Sequence, residues 1–309
     1  MSDPAAGLPS LAPLLQNYSV EVSPTNEKII ASCAERLDPG TEVYLTWIPG
    51  EDPFHMVAPA GTLRRAGLFP APHIVARHLE SAAQLDDLLR RFAGEAGVDR
   101  GLLVGGERAK PLGPYDATLQ VMQSGLLQKH KILRVGISGF PEGHPAISEQ
   151  VLGESIVAKM NYARQIGLQV QIVTQFCFEG QPIVDWLKRM RAMGVDLPVR
   201  IGLAGPASIA TLMKYALHCG VGNSIRALTK SSSFGRLLSE RDPEPVMREL
   251  LTAAPNGDTS APPFGIAALH FYTFGGLKKT VEWINTARGQ QSAASRGDGR
   301  SALGPKFPL

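Results

Sequence analysis

The sequence predicts a single (β/α)8 TIM barrel of the α/β class, with a tail at each end. Three observations carry this prediction. Eight short β-branched or apolar runs alternate with segments whose apolar residues recur every three or four positions. The alternation runs through one block of even composition with no linker, at a length close to the roughly 250 residues of single α/β barrels. The first strand ends in Val22-Ser23-Pro24-Thr25-Asn26, without the glycine fingerprint that opens the first turn of the alternative, a doubly wound open sheet.

Taken in order, the predicted strands run from Tyr18 to Ser23, Glu42 to Trp47, Ala71 to Ala76, Gly101 to Gly105, Ile132 to Ser138, Val170 to Phe176, Val199 to Ala204 and Ile266 to Thr273. Helical spacing is predicted from Asn26 to Leu37, Ala82 to Gly94, Tyr115 to Lys129, Glu149 to Ile166, Pro182 to Met193, Ser208 to His218 and Leu277 to Thr286. Gly97, Gly167, Gly194 and Gly220 stand where helices should stop. Residues 1–16 are rich in Pro, Ala and Ser, and residues 289–309 in Gly, Ser and basic residues; both read as mobile tails around a catalytic barrel at 17–288.

A chain of 309 residues buries enough surface to fold without disulfides or structural metal. With 32 Gly and 24 Pro and no repeat period, it is rich in turns and is not collagen-like. Charge is nearly balanced at +3, and no basic run is long enough for a nucleic-acid arm. Cys33, Cys177 and Cys219 are isolated, which fits buried thiols in a reducing compartment. Residues 1–15 contain no Lys or Arg and no long apolar run, so neither a signal peptide nor a membrane span is expected, and a cytoplasmic location is. Barrels associate through outer helices, so a homo-oligomer is compatible with the pattern.

Chemistry in such barrels sits at the C-terminal ends of the strands. Glu21, inside the apolar first run, either points into the barrel mouth or makes an ion pair on the helix side. In the mouth, burial would raise its pKa toward the range of a general acid. Thr46, His73, the Gly105-Gly106-Glu107 turn and the rigid loop from Phe140 to Pro145, with Glu142 and His144, follow on later strands. Gln175 brings an amide suited to a heterocyclic edge, and Gly275-Gly276 before a helix could take phosphate. His73 and His78 lack metal-ligand spacing, which disfavours a metal-dependent hydrolase and leaves no metal site expected.

Four of these segments, in order, resemble the methylenetetrahydrofolate reductase family over roughly residues 17–288. They are Phe140-Pro141-Glu142-Gly143-His144-Pro145, Pro72-His73, Thr174-Gln175-Phe176 and His270-Phe271-Tyr272-Thr273. The resemblance implies an oxidoreductase that interconverts 5,10-methylenetetrahydrofolate and 5-methyltetrahydrofolate with NADH or NADPH, through FAD. Glu21 would be the general acid, Gln175 would bind the pterin edge, and Glu107 would lie beside the flavin ring. Thr46, His73, Gly106, Tyr115, Phe140 and His144 would contact the flavin. The departures leave two alternatives open: direct hydride transfer without flavin, and a folate-binding barrel without redox activity. The family's Leu-Arg-Gly-Asp reads Val104-Gly105-Gly106-Glu107, and its Lys-Arg-Lys helix reads Lys159-Met160-Asn161-Tyr162 and onward, with fewer cations. Each lost charge-assisted phosphate contact would cost roughly 1.5 to 3 kcal/mol.

Overall fold

The structure, a computed structural model, describes residues 12–218, 240–253 and 263–297. Eight parallel strands close into a barrel: β1 (Ser19–Val22), β2 (Glu42–Leu45), β3 (Phe69–Val75), β4 (Arg100–Val104), β5 (Arg134–Gly139), β6 (Gln169–Thr174), β7 (Val199–Ala204) and β8 (Ile266–Tyr272). Each pairs with its neighbours in sequence, and β1 meets β8 through Ser19 opposite His270 and Glu21 opposite Tyr272. All eight predicted strands are present, with ends shifted by two residues at most. The surrounding helices are α1 (Ala12–Gln16), α2 (Glu27–Arg36), α3 (Val57–Arg65), α4 (Ala82–Gly94), α5 (Thr118–Gln123), α6 (Leu126–Lys129), α7 (Glu149–Ile166), α8 (Gly180–Ala192), α9 (Ile209–His218), α10 (Glu244–Thr252) and α11 (Leu277–Gly297).

Local chemistry accounts for many of these boundaries. Asn26, Ser81 and Ser148 cap α2, α4 and α7, each side chain accepting from a backbone N–H three residues on. α3 and α10 have no counterpart among the predicted helices. Pro59 and Gly61 interrupt the helical signal of α3, yet Val57, Ala60 and Leu63 bury one face, and packing overrides propensity. The single helix predicted from Tyr115 to Lys129 is two short ones, because Gly125 adopts φ +72 between them.

Two helices reach into the end segments. Leu14 and Leu15 of α1 are fully buried, and Arg288 of α11 donates to the Leu15 carbonyl at 2.6 Å while pairing with Asp38. Apolar burial and a cationic C-terminal cap thus fix residues 12–16 against the barrel. α11 continues past residue 289 to Gly297. Residues 1–11 and 298–309, with Cys219 and Gly220, lie outside the described residues. No helix among the described residues is long and apolar enough to cross a membrane.

Alternate strand residues face two different cores. Val20, Val22, Val43, Leu45, Ile137 and Leu203 point outward and pack under the helices. Inside, Tyr44, Ala71, Leu102 and Val173 form a small apolar plug. The N-terminal end of the barrel is closed by charge: Glu42 bridges Arg100 at 2.8 Å and Arg200 at 3.3 Å, and Arg100 also holds Asp99. A cavity of about 180 Å³ opens there beside Glu42, Tyr44, Arg134 and Gln171. It lies at the end opposite to the strand termini where barrel chemistry belongs.

Gly202 of β7 makes room inside the barrel: a Cβ there would stand 2.2 Å from the Thr174 carbonyl and 2.8 Å from the Tyr272 ring. Gly202→Ala is therefore expected to overpack the interior at a cost of about 1–3 kcal/mol, read as a lower urea midpoint at unchanged m-value.

Candidate active site

The centre of the barrel mouth is Glu21. As an inward residue of β1 it crosses the lumen to reach two other strands, lying 3.2 Å from His73 Nε2 of β3 and 3.5 Å from His270 Nε2 of β8. Both contacts use the same carboxylate oxygen, Oε2. They are at ion-pair distance, but neither imidazole meets hydrogen-bond geometry, and both Nε2 atoms are shielded from water with no other partner. Behind His270, Ser19 Oγ lies 2.8 Å from Nδ1, so the hydroxyl fixes the ring from its other side. Tyr44 and Tyr272 pack edge-on against the His270 ring at 4.6 and 4.8 Å.

This arrangement answers the choice posed for Glu21 and revises its charge. The side chain faces the lumen and not the helices. Burial does push its carboxyl up, as expected, but the His73 and His270 imidazoles beside it together outweigh burial and hold it at about 2. Glu21 is thus ionised near neutral pH. His270 is pushed down, first by burial and also by the Arg200 charge, with Glu21 partly opposing. No group of three or more His, Cys, Asp or Glu side chains among the described residues is arranged to hold a metal ion. The two imidazoles converge on the carboxylate oxygen and not on a shared empty point.

The remaining predicted residues lie around the rim and are not all brought together. Gly106 holds φ +97, and a Cβ there would meet Val75 at 2.8 Å, so this turn needs glycine. It presents Glu107, whose carboxylate meets His78 Nε2 at 3.0 Å while staying largely exposed. His78 in turn packs edge-on against Trp47. Thr46 donates its hydroxyl to the Val22 carbonyl at 3.1 Å, tying the ends of β2 and β1. Tyr115 is buried in the core, and burial pushes its hydroxyl up. Phe140 and His144 pack edge to face at 5.2 Å, and His144 Nδ1 accepts from the Ala146 N–H. Gln175 uses its side-chain oxygen to accept from the Phe176 N–H, leaving the NH2 group as the donor it offers. The Gly276 N–H, a candidate phosphate donor, is spent on the Thr273 carbonyl at 2.7 Å.

Several structuring residues escaped the sequence reading. Arg77, just past β3, donates to the Asp116 and Arg108 carbonyls and pairs with the Asp116 carboxylate at 3.0 Å, clamping the loop that carries Gly106, Glu107 and Tyr115. Burial lowers the proton affinity of His144, and the Arg77 charge adds to it. An aromatic wall rises on the far side: Phe176 is fully buried, Tyr272 and Phe274 pack against it at 5.2 Å each, and Tyr215 of α9 stacks on Phe274 at 4.4 Å. Only a run of aromatics on β6 and β8 hinted at it.

Comparison with solved structures agrees with the barrel. A dihydropteroate synthase (FolP) from Thermus thermophilus superposes with a TM-score of 0.50 at 13% identity, covering 90% of this chain and 95% of that one. A tryptophan synthase from M. tuberculosis matches at a TM-score of 0.44 and 11% identity, over 89% and 91% of the two chains. At such identities the likeness is one of fold. No family model matches the sequence.

The burial of His270 has a pH signature. Because its folded-state proton affinity is lowered, the unfolded chain binds the proton more readily, so stability is full above the ordinary histidine range near 6.5 and falls as pH drops below it. The thermal midpoint is expected to decline between about pH 7 and pH 5. His270→Gln should flatten this decline, and an unchanged slope in the variant would assign it to other histidines.

Proposed function

We propose that the chain is an oxidoreductase that interconverts 5,10-methylenetetrahydrofolate and 5-methyltetrahydrofolate by hydride transfer with NADH or NADPH. The observation that carries this reading is the ionisable Glu21 at the centre of the mouth, clamped by His73 and His270 at the strand positions of the family-like motifs. The neighbouring wall of Phe176, Tyr272 and Phe274 and the NH2 of Gln175 suit a flat heterocycle with hydrogen-bonding edges. The T. thermophilus relative, named for a pteroate product, lends the same scaffold.

In the reductive direction, Glu21 gives a proton to the ring nitrogen that leaves the methylene carbon, and the five-membered ring opens to a cationic iminium. A hydride from the nicotinamide reaches the exocyclic carbon, which becomes the N-methyl group. One proton and one hydride are consumed, and oxidised nicotinamide is released. The carboxylate left on Glu21 stabilises the cation formed beside it.

The residues assigned by resemblance to FAD do not fit a tightly held diphosphate cofactor, and no step is drawn through one. Thr46 spends its hydroxyl on Val22, Glu107 pairs with His78, His73 faces Glu21, and Tyr115 is buried in the core. The arginine of the family motif is Gly105 here, and Arg77, just past β3, is committed to its loop. These commitments favour direct transfer from the nicotinamide to the folate.

Two outcomes test this reading. Glu21→Gln is expected to slow methylenetetrahydrofolate-dependent oxidation of NAD(P)H by about 10² or more, with nucleotide binding retained by fluorescence titration; full turnover in the variant would remove Glu21 from the mechanism. The purified protein is expected to show no flavin absorption and no gain in kcat on adding FAD, whereas stoichiometric bound flavin would refute the direct route.

A further inference from the structure

The proposed reaction consumes a nicotinamide nucleotide, whose anionic diphosphate needs donors and cations beside the mouth. We propose that the loop of residues 105–116, which follows β4, is the docking site of that diphosphate, with Arg108 and Lys110 as its cations. The inference rests on the reading of the chain as a nicotinamide-dependent enzyme and names where the nucleotide binds.

Arg77 shapes this loop by collecting its carbonyls. Its backbone N–H donates to the Gly105 carbonyl at 3.0 Å, and its guanidinium donates to the Arg108 and Asp116 carbonyls at 2.9 and 2.8 Å. The Leu112 N–H returns a bond to the Arg77 carbonyl at 3.0 Å. Gly113 presses the loop against the backbone that follows β3, where an added Cβ would stand 2.3 Å from the Glu80 carbonyl oxygen. With these acceptors engaged, the loop is left with donors. The N–H groups of Gly106, Glu107, Arg108, Ala109 and Lys110 meet no acceptor among the described residues. Gly106 opens this run at φ +97, and successive unspent N–H groups beside a left-handed residue are a setting in which backbone holds anions.

The side-chain charges are sorted in the same sense. Both carboxylates of the loop are engaged, Glu107 by His78 Nε2 at 3.0 Å and Asp116 by Arg77 at 3.0 Å. Arg108 and Lys110 are exposed, and neither meets a carboxylate among the described residues. Exposed cations suit a ligand that enters and leaves in every turnover, in contrast to a resident cofactor. Place in the barrel selects the nucleotide over the folate. The aromatic wall proposed for the folate heterocycle rises from β6 and β8, and β4 lies opposite β8 around the barrel. A dinucleotide anchored on the β4 loop and a folate on that wall therefore approach Glu21 from different sides of the mouth.

Equilibrium binding tests the site without reference to turnover. The wild-type protein is expected to bind NADH or NADPH in a fluorescence titration and to release it as inorganic pyrophosphate is added. Its affinity should fall as salt rises from about 0.05 to about 0.2 M, because exposed cations are screened over that range. In the double variant Arg108→Ala/Lys110→Ala the dissociation constant for the nucleotide should rise at least about tenfold with a flatter salt response, while that for tetrahydrofolate stays within about twofold. Both side chains are exposed, and circular dichroism confirms that the variant is folded. Unaltered nucleotide affinity in the variant overturns the docking site and leaves the proposed function standing. Loss of tetrahydrofolate affinity in its place assigns the cations to the carboxylates of the folate and overturns the site equally. A wild-type protein that binds neither nucleotide removes the nicotinamide reading, and the docking site falls with it.

Discussion

A carboxylate in the lumen of a closed barrel must be compensated by the strands it faces, and that constraint organises this molecule. An unpaired charge at such a depth would cost several kcal/mol or force the group to neutralise. Glu21 is compensated by imidazoles from β3 and β8, strands that lie on opposite sides of β1 around the barrel. The compensation is therefore possible only when the barrel closes in register, with Ser19 opposite His270. Closure, charge and site geometry are one condition expressed at three levels.

The opposite end of the lumen meets the same constraint with different partners. Glu42 lies between two buried arginines, takes a hydrogen bond from Tyr44, and through Tyr44 is linked to Gln171. Guanidinium groups stay charged at any accessible pH, so this network locks geometry and has no proton to give. Imidazoles titrate near neutrality, so the upper cluster can change charge. The apolar plug of Tyr44, Ala71, Leu102 and Val173 separates the two. The choice of Arg below and His above makes one end of the lumen structural and leaves the other for chemistry.

Much of the fold could be read from the linear chain because it rests on local periodicity. β7 runs from Val199 to Ala204 as expected, and α4 and α7 match at both ends, since each is bounded by a capping serine and a clear apolar face. α3 was illegible because Pro59 and Gly61 erase the propensity signal that tertiary burial restores. For the site, Glu21, His73 and Glu107 were legible as polar residues at strand ends. Their partners were not: His270, Ser19, His78 and Arg77 gain meaning only when strands distant in sequence become neighbours. Glu21 and His270 are separated by most of the chain, and no spacing rule couples them. The same blindness explains why burial alone suggested a raised carboxyl, whereas two imidazoles whose approach to Glu21 no spacing shows lower it.

That reversal bears on how such a site controls its own acidity. Burial and the imidazoles act on Glu21 in opposite senses, with burial the larger single influence and the imidazoles prevailing together. A ligand that seals the mouth removes water from Glu21 and from the exposed edge of His73 at once. Dehydration disfavours the carboxylate, so the opposition that the imidazoles overcome grows as the mouth closes. On the proposed reading, the arrival of the folate thereby raises the carboxyl toward its acid form. A carboxyl held low by its imidazole neighbours can thus rise once water is excluded, which is why a depressed carboxyl pKa and a general-acid role are compatible in this barrel.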